Sequence, residues 1–82
     1  MTEDVTEYQS AIGLMTEALS SGILHLIVYP DSQLVVLQLN GIYSIRDPTI
    51  IRLFQRICLL GISFTYIYFV TYQDNSIQSL IH

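Results

Sequence analysis

The chain has 82 residues, 51% of them hydrophobic and 12% charged, with a formal net charge of −4. That is enough for one small domain, residues 1–82, burying roughly 60% of the surface its unfolded chain exposes and holding a marginal core. Three arginines (Arg46, Arg52, Arg56) and no lysine leave no cluster of cations to neutralise phosphates, which disfavours nucleic acid as a partner.

So much apolar surface on so short a chain favours self-association or a protein partner over a free monomer. The single cysteine, Cys58, excludes a disulfide framework and a cysteine-based metal site. Its neighbours Ile57, Leu59 and Leu60 predict a buried, unreactive thiol. The acidic start "MTEDVTEYQ" does not read as a signal or transit peptide. Residues 57–73 lack charge, but the run is shorter than the ~20 residues a span needs and is interrupted by Ser63, Thr65 and Thr71. An intracellular chain without a membrane span is expected.

In chain order, residues 5–19 carry Val5, Tyr8, Ile12, Met15 and Leu19 at spacings of three and four. Ala11, Leu14 and Ala18 widen that face, and Gly22 follows, which predicts an amphipathic helix. Residues 23–29, "ILHLIVY", form a short β-branched apolar run of the kind buried on both faces, with His25 expected as a packed core residue. The next stretch is ambiguous. "QLVVLQL" has strand propensity, and with Pro30-Asp31-Ser32-Gln33 as a turn it would form a hairpin with 23–29. Alternatively Asp31 or Ser32 caps a helix that Asn40-Gly41 ends. The run is apolar nearly throughout, so periodicity does not choose, and local pattern alone favours the hairpin.

Residues 46–61 are clearer. Asp47 is a helix cap and Pro48 the first helical residue; Ile50, Ile51, Phe54, Ile57 and Cys58 make the apolar stripe, opposite Arg52, Gln55 and Arg56, and Gly61 stops it. "ISFTYIYFVTY", 62–72, predicts a long strand, and the tail "QDNSIQSLIH" a last short helix.

The strings "TEYQSAIGLMTEAL" and "LIVYPDSQLVVLQLNGIYSIRDP" resemble, in order and spacing, the ribonuclease H domain of plant gypsy-class retrotransposon polyproteins. The resemblance spans roughly residues 6–75. It implies that residues 32–40 are helical and that the chain is α/β: helix, strand, helix, helix, strand and short helix, with strands 23–29 and 62–72 parallel and adjacent. It also implies a truncated ribonuclease H-like fold, because the three antiparallel strands that open the family fold have no counterpart here.

Members of that family cut the RNA strand of RNA–DNA hybrids with two divalent metals some ~4 Å apart, held by four carboxylates. By resemblance, Glu7 matches the helix carboxylate and Asp31 the strand-end carboxylate. The first-strand Asp has no counterpart, and the last falls on Ser79 when Asn75 is aligned with the family's Asn. In the same alignment the family's His falls on Phe69, its Pro on Thr71 and its Arg on Tyr72, while Asp74 is out of register. Half of the metal set is missing, so no activity and no cofactor are expected. Glu7 and Asp31 then read as a first-turn helix acid and a helix cap. The function implied is a retroelement-derived interaction module, self-associating or capping another protein through Leu24, Leu26, Ile27, Val28 and Tyr29, on a strand edge left without neighbours. The alternative is a residual Mg²⁺- or Mn²⁺-dependent hybrid nuclease completed by a partner chain.

Overall fold

The computed structural model describes residues 2–71, so the tail helix expected over 73–82, and with it Ser79, Asp74 and Asn75, lies outside the described residues. The order is α1 (Thr2–Ser20), β1 (His25–Val28), α2 (Gln33–Leu39), α3 (Pro48–Gly61) and β2 (Tyr66–Phe69).

Helix α1 buries Tyr8, Ala11, Met15 and Ala18, one face at spacings of three and four, with Val5, Ile12 and Leu19 packed along its margins. Leu14, assigned to that face from the sequence, is 51% exposed. The helix gives way to a turn at Gly22, whose φ of 78° is cheap only for glycine, while the Ile23 amide reaches back to the Ala18 carbonyl at 2.9 Å.

Strand β1 then runs parallel to β2, with His25 beside Tyr66 and Val28 beside Phe69. The helical reading of 32–40 is borne out and the hairpin is not. Ser32 is extended and its Oγ accepts from the Val35 amide at 3.3 Å, which starts α2; Asn40 and Gly41 (φ 78°) close it. Helix α3 begins as read, with Asp47 Oδ1 accepting from the Thr49 amide at 2.8 Å and Pro48 in the first turn. The two helices form the connection that two adjacent parallel strands require.

Helices α1 and α3 lie against each other, and the core joins them to one face of the two-stranded sheet: Tyr8, Met15, Ile50 and Ile57 meet Val28 and Phe69, with Leu26 and Ile67 packed beside them. Two expectations fail here for one reason: among the described residues, helices cover a single face of the sheet. β1 is not buried on both faces, since His25 and Ile27 alternate outward, and His25 is exposed rather than packed in the core. β2 (Tyr66–Phe69) also starts later than the strand expected from residue 62, because the Ser63 and Phe64 amides bond back to the Leu60 and Gly61 carbonyls as the chain leaves α3. Cys58 is also exposed, because the buried stripe of α3 runs through Ile50 and Ile57 and turns the next residue outward.

Candidate functional site

Tyr8 sets the position of α1. Its ring is fully buried and its hydroxyl donates to Gln38 Oε1 on α2 at 2.8 Å. Burial, helped by the negative charges of Asp4 and Cys58, pushes the phenol up to about 12. The neighbouring residue, Glu7, is thereby held at the carboxyl end of β1, where its Oε1 accepts from the Asp31 amide at 3.0 Å.

A cleft of about 170 Å³ opens beside this contact, walled by Ser10 and Leu14 of α1 and by Tyr29 and Asp31. The two carboxylates singled out from the sequence are therefore brought together, but not in the bland roles sketched for them. Glu7 lies in the second turn of a helix that starts at Thr2, and Ser32 rather than Asp31 caps α2.

Among the described residues, the two carboxylates of this cleft fall short of the anionic oxygens that a pair of divalent cations needs. One Glu7 oxygen is committed to a backbone amide, and among the described residues no group of three or more His, Cys, Asp or Glu side chains gathers anywhere.

The strand residues expected to form an interface divide between two faces. Leu24 (46%), Ile27 (51%) and Tyr29 (42%) are exposed, Leu26 is half-buried, and Val28 is buried against the helices. The open face continues onto β2 through Tyr66 and Tyr68, whose rings stack at 5.9 Å, and Tyr66 meets the His25 ring edge-on at 4.5 Å. These aromatic neighbours were not singled out in the sequence, although the alternation in "TYIYF" carried the signal.

The two sheet edges differ as well. On β2, Asn40 Nδ2 donates to the Phe69 carbonyl at 3.1 Å, closing part of that edge. On β1, Leu24 and Val28 bond to β2, so the amides and carbonyls of His25 and Ile27 point the other way.

No protein-family model matches the chain. Among solved structures, it is similar to the N-terminal ribonuclease H domain of a Mycobacterium tuberculosis protein, solved as a fusion with maltose-binding protein, at a TM-score of 0.72 and 27% identity. The match covers 84% of this chain and 51% of that one, so the chain spans about half the length of its neighbour. Among the described residues no helix is long and apolar enough to cross a membrane. Three helices and two parallel strands in this arrangement make the fold α/β and, in part, that of ribonuclease H.

Proposed function

We propose that this chain is a retroelement-derived, catalytically inactive ribonuclease H-like remnant that works as a protein–protein interaction module. The observation that carries this reading is the outer edge of β1. His25 and Ile27 direct their backbone groups away from β2, and the surrounding side chains Leu24, Ile27 and Tyr29 are apolar or aromatic and exposed. Among the described residues no strand pairs with this edge, and an edge of this kind recruits another strand, from a second copy or from another protein that it caps. The strings "DSQLVV" and "YSIRDP" favour a retroelement origin. The pairing of Glu7 with a backbone amide, and the lack of a third ligand among the described residues, favours loss of the metal chemistry.

The test is static light scattering across a concentration series. Species heavier than the 9.4 kDa chain are expected at high concentration, with dissociation on Ile27→Pro, since proline removes the outward amide that a joined edge needs and leaves the bonds to β2 in place. A wild-type chain that remains folded and monomeric throughout, and that takes up no β-strand peptide, would overturn the reading.

One observation favours a second reading. Glu7 and Asp31 gather in a cleft at the carboxyl end of a parallel strand, which is where a nuclease completed by a partner chain would keep its Mg²⁺ or Mn²⁺ ligands. Cleavage that appears only when such a partner is added would favour it.

A further inference from the structure

We infer that the occupant of the β1 edge is a second copy of this chain, paired antiparallel about a two-fold axis at Leu26, with His25 of each copy opposite Ile27 of the other. This rests on the interaction-module reading and names the partner and register of that same site.

In a parallel pair, successive residues direct both backbone groups alternately to one neighbour and then to the other side. The Leu24 carbonyl accepts from Thr65 and Tyr66, and the Val28 carbonyl from Val70, so His25 and Ile27 are the strand residues that face outward. Two outward residues separated by one inward residue are self-complementary in an antiparallel pair. With the axis at Leu26, His25 and Ile27 of the two copies exchange both of their bonds. An axis at Ile27 would instead pair His25 with Tyr29, which lies beyond the end of the strand at Val28.

Charge selects the same arrangement. The chain carries −4, so two copies repel unless their contact is neutral, and residues 23–29 bear no formal charge. Glu7 and Asp31, bonded to each other, sit at the carboxyl end of β1. Antiparallel pairing sends the two Asp31 residues to opposite ends of the joined edge, about 33 Å apart at ~3.3 Å per residue and well beyond a Debye length. Parallel pairing would bring them side by side.

The other edge does not compete equally, because Asn40 already occupies the Phe69 carbonyl. The edge also lacks the usual guards: residues 23–29 contain no lysine, proline or glycine. The product is a closed four-stranded sheet, ordered β2-β1-β1-β2, with the exposed His25, Ile27 and Tyr66 side chains of both copies on one continuous face.

Disulfide trapping tests the register. In a Cys58→Ser background, His25→Cys and Ile27→Cys chains are prepared separately; both positions are exposed, so folding is checked by circular dichroism and expected to persist. Mild oxidation of a mixture should give the mixed disulfide about tenfold faster than either chain cross-links with itself, since only that pair sits directly opposite. Leu26→Cys, on the axis, should cross-link with itself. Self-linked Ile27→Cys as the main product, or equal rates for all pairs, would overturn the register while leaving the module reading standing. No cross-link, with light scattering at the monomer mass and a β-strand peptide from another protein bound, would overturn self-pairing alone.

Discussion

Replacing Tyr8 by Phe removes one hydroxyl from the centre of the molecule and leaves the ring in place. The hydroxyl donates to Gln38 at 2.8 Å, and Gln38 is only half-buried, so water can reach the orphaned amide oxygen. The loss at pH 7 should therefore be about 1 kcal/mol, against a total stability on the order of 4–12 kcal/mol for a chain of this length. Alkali reverses the order. Burial favours the neutral phenol in the folded chain, raising it from 10.0 to about 12, so the unfolded chain gives up its proton first. This contribution is complete below pH 10 and is lost as the pH rises towards 12, about 3 kcal/mol in all. Wild type should lose about 1 kcal/mol of it by pH 11, which brings the two proteins to nearly equal stability. Urea unfolding followed by circular dichroism at pH 8, 10 and 11, with unchanged m-values, measures both limbs. Parallel stabilities across that range would refute the assignment of Tyr8 as the buried phenol that ties α1 to α2.

Three further substitutions probe the elements that frame the cleft and the sheet. Ser32→Ala should cost about 1 kcal/mol by removing the cap of α2, read as a lower urea midpoint, whereas Asp31→Ala should cost less, since its side chain does not cap the helix. Asn40→Ala should cost about 1–2 kcal/mol and speed amide exchange in β2, because Asn40 Nδ2 bonds to both Val36 and Phe69 carbonyls. No change in β2 exchange would show that this side chain does not secure the edge.

The sequence carried α1 and α3 through their spacing and caps, and these two helices needed nothing else. α2 was different: "QLVVLQL" is apolar on every side, so its conformation is set by Ser32 and by burial of Val35 and Val36, and only the family resemblance distinguished helix from strand. Both strands are legible in the sequence, but their exposure is not. Their open face carries Ile27, Tyr66 and Tyr68 rather than charged residues, so the alternation that normally marks a half-covered sheet is hidden. The same lack of contrast hid Cys58, which lies one residue off the buried stripe. Glu7 and Asp31, 24 residues apart, were legible as a pair only by resemblance; the bond between them depends on the anchoring of α1 by Tyr8.

Whether this fold cuts or only binds is decided most directly by incubating the purified chain with a labelled RNA–DNA hybrid in millimolar Mg²⁺ and, separately, Mn²⁺. No product above the protein-free control is expected, because two carboxylates, one of them bonded to a backbone amide, do not hold two cations in place. Hybrid cleavage by the wild-type chain that disappears in both Glu7→Gln and Asp31→Asn would contradict it.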